Sequence, residues 1–186
     1  MSIDRARLEP AFRDYVSGYA SEIQAISLET SLHLLGELTA RRPARVADLG
    51  SGWSSYVLRL FKRVAAPALE VWSLDDNEEG LGRTARFLAR HDLDTANLRL
   101  WPRLGDRQFD LVIYDLGRPC ERHVYLGRVL DATAGVLVCD DLHVDDYRRR
   151  VDAFVRGLGL RLEPLRETRD ASGRFSGRVA VRDHFS

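Results

Sequence analysis

The residues of this sequence best placed to do chemistry are acids that close short apolar runs. Asp48 sits near the end of Arg45-Val46-Ala47-Asp48-Leu49 and is followed by Gly50-Ser51-Gly52-Trp53-Ser54-Ser55. Asp75 and Asp76 follow Leu69–Leu74, Asp115 follows Phe109–Tyr114, and Asp140-Asp141 follow Gly135–Cys139. Glycines at a strand-to-helix turn let the backbone bend sharply and let a ligand approach the main chain. A dinucleotide fingerprint would need a third glycine at position 55, where Ser55 stands, and no Gly-Lys-Ser/Thr phosphate loop is present. An acid two residues before the first glycine suits an ammonium-bearing ligand better than a pyrophosphate. Asp75, with Asp76 beside it, is placed to accept hydrogen bonds from ribose hydroxyls. The same stretch, Asp75-Asp76-Asn77-Glu78, also reads as a helix cap, as do Ser54 and Ser55.

Asp115, Asp140 and Asp141 form a second constellation. Neighbouring strands lie about 4.8 Å apart, so carboxylates at adjacent strand ends can converge on one hard cation. An all-oxygen set suits Mg²⁺, with Mn²⁺ or Ca²⁺ as the alternatives. Without a cation such crowding raises at least one pKa. Two plainer readings stand beside this one: Asp141 and Asp145 as cap and first-turn acids of the next helix, and Asp115 touching cofactor or substrate without a metal.

These acids need a scaffold that brings strand ends together. Residues 4–41 carry helical apolar spacing in two pieces, Phe12/Tyr15/Val16/Tyr19 and Leu28/Leu32/Leu35/Leu38, with Gly18 as the weak point between them. Arg42-Pro43 ends the run. Strands then alternate with helices: strands over 45–49, 69–74, 97–101, 109–115 and 135–140; helices over 54–63, 79–91, 121–132 and 144–157. That rhythm predicts an α/β fold, a Rossmann-like, doubly wound, mostly parallel sheet. Strand-like runs over 160–167 and 178–184 flank the turn-rich Asp170-Ala171-Ser172-Gly173, leaving no room for a crossover helix, so they form an antiparallel terminal pair. The expectation is a single domain over 1–186, with 1–41 as a helical cover and 42–186 as the core.

In these residues the chain resembles the class I S-adenosylmethionine-dependent methyltransferases: Val46–Ser55 for their first motif, Asp75 for the second, Phe109–Asp115 for the fourth and Gly135–Asp141 for the strand beyond. The resemblance covers residues 26–158. It implies that Asp48, Gly50, Ser51 and Gly52 hold the methionine end of S-adenosylmethionine. It further implies that Asp75, with Asp76, holds the ribose and that Ser54 meets the methionine carboxylate. Asp115 would also face the cofactor. Within that family the three aspartates resemble the small bacterial metal-dependent O-methyltransferases, of the catechol and sugar types. There a metal chelates two substrate oxygens and lowers the pKa of the one to be methylated. The catechol type carries a lysine base three residues after its first aspartate, where this chain has Arg118. A guanidinium stays protonated, so Arg118 instead suits an anionic substrate group. The base role passes to His143 first and His123 second, because imidazole titrates near neutrality.

The resemblance implies methyl transfer to a hydroxyl of a small molecule (a sugar, polyol or phenolic). Rival readings are a metal-independent methyltransferase acting on nitrogen or nucleic acid, a nicotinamide-binding oxidoreductase, and a silent nucleotide-binding module. The chain lacks the Asn/Asp-Pro-Pro-Tyr/Phe segment of amino-methylating enzymes, with Asp115-Leu116-Gly117-Arg118 in its place. Lys+Arg and Asp+Glu both number 28, so no net field draws nucleic acid. Arg148-Arg149-Arg150 reads as a solvated helix face. No stretch has the length of a membrane span and no apolar leader is present, which suggests a cytoplasmic location. Cys139 reads as a small buried thiol and His33 as a partly buried structural residue. Phe12, Tyr15 and Tyr19 are open to three roles: a lid, a homodimer contact, or a helix face packed on the core. The resemblance implies that acceptor selectivity lies in the variable segments over the sheet, here the N-terminal helices and the loops 102–108 and 116–123.

Overall fold

In the computed structural model, which describes residues 3–21, 24–101 and 105–181, the N-terminal region is two helices, α1 (Arg5–Gly18) and α2 (Leu28–Arg41). Asp4 caps α1 by accepting from the Arg7 N–H, and Ser27 caps α2 by accepting from the Thr30 N–H. The break falls at Gly18, as its low helix propensity predicts. Arg42 ends α2 in the left-handed conformation (φ 48°), and Pro43 prevents the helix from continuing.

The alternating part follows as β1 (Arg45–Leu49), α3 (Trp53–Ala65), β2 (Glu70–Asp75), α4 (Glu78–Arg90), β3 (Leu98–Leu100) and β4 (Phe109–Tyr114). Next come α5 (Pro119–Arg122), α6 (Leu126–Asp131), β5 (Thr133–Cys139), α7 (Asp145–Gly157), β6 (Leu162–Pro164) and β7 (Gly177–Ala180). The seven-stranded sheet has the order β3-β2-β1-β4-β5-β7-β6. The first five strands are parallel, and β7 runs antiparallel to both β5 and β6. The expected antiparallel pair is therefore present, with the reversed strand wedged between β5 and β6.

Two departures from the sequence reading have local causes. The helix expected over 121–132 is broken into α5, a 3₁₀ turn at His123–Tyr125, and α6. The side chain of Arg122 turns inward there, donating to the Gly117 carbonyl, and Tyr114 Oη donates to the Arg122 carbonyl at 2.5 Å. The strand expected over 160–167 shrinks to β6 because Arg166–Thr168 forms a 3₁₀ turn, where the Thr168 hydroxyl donates to Leu165 O. Residues 182–184 of the last expected strand, and 102–104 of a selectivity loop, lie outside the described residues.

Side chains along each central strand alternate between two cores. Val46, Val71, Leu111, Ile113, Val136 and Val138 pack under α1–α4 with Phe12, Trp53 and Phe87. Ala47, Leu74, Val112, Tyr114, Leu137 and Cys139 pack against Leu126, Val129, Tyr147, Val151 and Val155 from α6 and α7. Burial on both faces is what a parallel sheet sandwiched between helices requires, and the shared direction of β1–β5 brings the loops that follow them to one edge. Phe12 and Tyr15 are spent in the first core, edge-on to Trp53 and Phe87 respectively, and Tyr19 stacks on Tyr15. Of the three roles for this aromatic cluster, the packed helix face is the one its burial satisfies.

Candidate active site

The chain runs β1–β2–β3 toward one edge and β4–β5 toward the other, so the carboxyl ends of β1 and β4 flank a topological switch point. Ligands of open α/β sheets bind in the crevice there. A cleft of about 640 Å³ lies at this point, lined by Gly50, Ser51, Asp75, Asp76, Asp115, Arg118, Arg122, Asp141 and His143 among others. That volume is within the usual range for small-molecule sites.

The floor is the glycine turn. Gly50 has φ 104°, and a Cβ there would lie 2.5 Å from the backbone carbonyl of Asp115, so only glycine lets the two loops touch. The Gly50 N–H donates to Leu74 O at 2.8 Å and the Asp115 N–H to Leu49 O at 2.7 Å, locking the loop ends in register. A Cβ on Gly52 would lie 2.5 Å from Tyr15 Oη. The first helix thus reaches down onto the turn, and no sequence pattern signalled that contact.

The two cofactor acids are placed differently. Asp75 lines the cleft, and its Oδ2 accepts from the Ser51 N–H (3.0 Å) and hydroxyl (2.7 Å), while Oδ1 accepts from the Asn77 N–H. A carboxylate offers about four lone-pair directions, so one remains for a ligand hydroxyl. Burial raises the Asp75 pKa against the Ser51 hydrogen bond. Asp76 and Ser51 share the same wall.

Asp48 is fully buried beneath the turn and does not line the cleft. Its Oδ1 accepts from the Ser54 hydroxyl at 2.7 Å, and its Oδ2 accepts from the Ser55 hydroxyl in a short contact. Burial pushes its carboxyl up to about 6, although both serines and Arg59 pull it down. Asp48 thus braces the turn from beneath, one layer below the residues that line the cleft. Ser54 is 3% exposed and its hydroxyl donates to Asp48; the helix is capped at Gly52, whose N–H donates to the Ser55 hydroxyl.

Asp115, Asp140 and Asp141 converge as the strand ends predict, with one oxygen of each within 4.8 Å of the others. Asp141 reaches the group by adopting φ 59°, a left-handed conformation that aspartate tolerates better than most residues. Asp140 is buried, and its Oδ1 accepts from the Ser176 hydroxyl at 2.6 Å. Burial drives the pKa of Asp115 well up and raises that of Asp140, each reinforced by neighbouring carboxylates.

Arg122 is the residue that sequence reasoning missed. It is 4% exposed, and its Nη2 stands 2.6 Å from Asp115 Oδ1 while Nη1 stands 3.1 Å from Asp141 Oδ2. The two acids hold this guanidinium firmly protonated in spite of its burial. Nothing in Pro119-Cys120-Glu121-Arg122 distinguishes it from an ordinary surface arginine; an α5 broken after one turn is what aims it inward.

The base candidates separate cleanly. His143 lines the cleft, with Nδ1 3.7 Å from Asp141 Oδ1. That is within ion-pairing range and too long for a hydrogen bond. His123 is not among the residues lining the cleft and faces α7, with Nε2 3.2 Å from Arg150 Nη1. Arg118 also lines the cleft and is exposed. Gln24, which the sequence did not single out, also lines the cleft.

No protein-family model matches this chain, and no curated protein matches its sequence. Solved structures do. A methyltransferase of Podospora anserina solved with S-adenosylhomocysteine bound superposes with a TM-score of 0.72 at 15% identity, covering 98% of this chain and 90% of that one. This chain has a methyltransferase fold. An O-methyltransferase of Bacillus cereus in complex with S-adenosylhomocysteine gives 0.72 at 14% identity, covering 97% and 92%. The O-methyltransferase TomG of Streptomyces achromogenes, involved in tomaymycin synthesis and solved with S-adenosylmethionine, gives 0.67 at 20% identity over 96% and 90%. Among the described residues no helix is long and apolar enough to cross a membrane.

Proposed function

We propose that this protein is an S-adenosylmethionine-dependent O-methyltransferase acting on a hydroxyl of a small molecule. The observation that carries this reading is the cleft at the switch point. Its floor is a glycine turn with no room for a side chain, and its wall is Asp75 with an acceptor direction unspent. The fold is one in which other proteins have been solved with S-adenosylmethionine or S-adenosylhomocysteine bound. Asp75 and Asp76 accept the ribose hydroxyls. Gly50 and Ser51 leave the main chain open to the methionine end, and the buried Asp48 carboxylate favours its positive charge from below.

The bound cofactor supplies a methyl group on a sulfonium, which passes to the acceptor oxygen as the carbon–sulfur bond breaks. His143 takes the acceptor's proton, and Asp141 beside it stabilises the resulting imidazolium. Asp115 stands between the cofactor wall and the acid cluster, where it orients the acceptor. Arg118, exposed on the cleft lining, suits an anionic group on that acceptor.

A second reading adds Mg²⁺, or Mn²⁺ or Ca²⁺, on Asp115, Asp140 and Asp141. It is favoured by three carboxylate oxygens lying within 4.8 Å of one another. Arg122 already spans two of the three acids, so the donor chemistry suits a metal but the space does not. No step above depends on one.

Calorimetry with S-adenosylhomocysteine tests the main reading. One site per chain is expected, with binding weakened at least about ten-fold by Asp75→Ala, the loss of one or two hydrogen bonds to a charged group. Binding of a nicotinamide dinucleotide in place of S-adenosylhomocysteine would overturn it.

A further inference from the structure

Three carboxylates at two adjacent strand ends need positive charge, and this chain provides it from within. The Arg122 guanidinium is held on three sides. Its Nη2 meets Asp115 Oδ1 at 2.6 Å, its Nη1 meets Asp141 Oδ2 at 3.1 Å, and Nε and Nη2 both donate to the Gly117 carbonyl at 3.1 and 2.9 Å. The Tyr147 ring lies against it, with its centroid 5.7 Å from the guanidinium carbon. The backbone is fixed as well, since the Arg122 carbonyl accepts from Tyr114 Oη. The third acid, Asp140, has its own partner in Ser176, whose hydroxyl is 2.9 Å from that of Thr30. A divalent ion draws carboxylate oxygens to about 2.0–2.6 Å. The Asp115 and Asp141 oxygens that would turn to it already face guanidinium nitrogens, and a second cation between them would meet a like charge.

We propose that Arg122 is the resident cation of this cluster and takes the place of a divalent metal. It holds Asp115 and Asp141 in place, and it presents positive charge on the cleft wall where the acceptor oxygen loses its proton. A guanidinium suits this post because it cannot deprotonate and its planar fork presents charge to two carboxylates at once. The part Arg122 plays in methyl transfer rests on the function proposed above; its occupation of the metal position does not.

The test is a Mn²⁺ titration of chelator-treated protein, followed by the electron paramagnetic resonance of free Mn²⁺ and by calorimetry. Wild-type protein is expected to show no stoichiometric site at micromolar Mn²⁺. Arg122→Met, which keeps the stem and removes the charge, should gain one site at least ten-fold tighter, and Arg122→Met with Asp140→Asn should lose it again. If circular dichroism shows Arg122→Met unfolded, Arg122→Gln, which can still bond the Gly117 carbonyl, should show the same gain. One tight Mn²⁺ site in wild type that Asp140→Asn abolishes would overturn the proposal, whatever the variants do. So would a folded Arg122 variant with no gain in Mn²⁺ binding. S-adenosylhomocysteine is titrated on the same samples, so that a failure of the methyltransferase reading is seen separately.

Discussion

Replacing Asp48 by asparagine should make the protein more stable at neutral pH and a poorer cofactor binder. In the folded chain this carboxyl has no exposure and its pKa is raised from 3.8 to about 6, with burial the leading cause. The folded state therefore holds a proton that the unfolded state has released across the interval from about pH 4 to 6. Stability conferred by this group falls as pH rises through that window and stays low above it. A rise of about two units corresponds to roughly 3 kcal/mol carried by the ionised form at pH 8. Asparagine is close in shape to the protonated acid: its oxygen can accept from one serine hydroxyl and its amide can donate to the other serine oxygen. Allowing for an imperfect fit of about 1 kcal/mol, Asp48→Asn should gain about 1–3 kcal/mol at pH 8 and little at pH 4. Urea unfolding of both proteins at pH 4, 5, 6, 7 and 8 reads the difference directly. Asp75 and Asp140 contribute equally to both proteins and cancel, whereas Asp115, whose carboxyl the Asp48 charge helps to push up, is relieved in the variant and adds to the gain at pH 8. Loss of the buried charge should weaken S-adenosylhomocysteine binding several-fold. A variant less stable than wild type at pH 8, with an unchanged pH slope, would refute the reasoning, because the two serine hydrogen bonds would then outweigh desolvation.

Three further substitutions probe the turn, a helical control position and the proposed base. Gly50→Ala forces a Cβ to 2.5 Å from the Asp115 carbonyl at φ 104° and should cost at least about 3 kcal/mol. Gly36→Ala, within α2 and with nothing within 4 Å of its Cβ, should instead stabilise by up to about 1 kcal/mol; thermal unfolding distinguishes the two. His143→Gln should lower kcat by about 10²–10⁴ once an acceptor is in hand, with S-adenosylhomocysteine affinity unchanged. An unaltered kcat would remove the histidine from the mechanism.

The sequence by itself determined the layered architecture and the edge at which chemistry sits. Strands and helices that alternate through most of the chain leave a parallel sheet with both faces covered as the stable solution, and Asp48, Gly50, Asp75, Asp115, Asp140 and Asp141 read as site-facing because each lies at or just beyond the end of an apolar strand. The antiparallel last pair was legible for the same kind of reason, a connection too short to cross over. Only the tertiary structure decided which of those side chains meet the cleft. Asp48 and Asp75 look alike along the chain, yet Asp48 points down into Ser54 and Ser55 while Asp75 lines the wall. His123 and His143 flank the same cluster in sequence, and a broken helix turns the first toward Arg150. Arg122 carried no local signal at all. Its role depends on the end of α5, the Gly117 carbonyl and two acids from different strands arriving at one point. Periodicity reports which face of an element is buried, because burial repeats with the element's own geometry. Side chains on loops obey no such repeat, so their partners are set by long-range packing, and that is where the cation of this site was hidden.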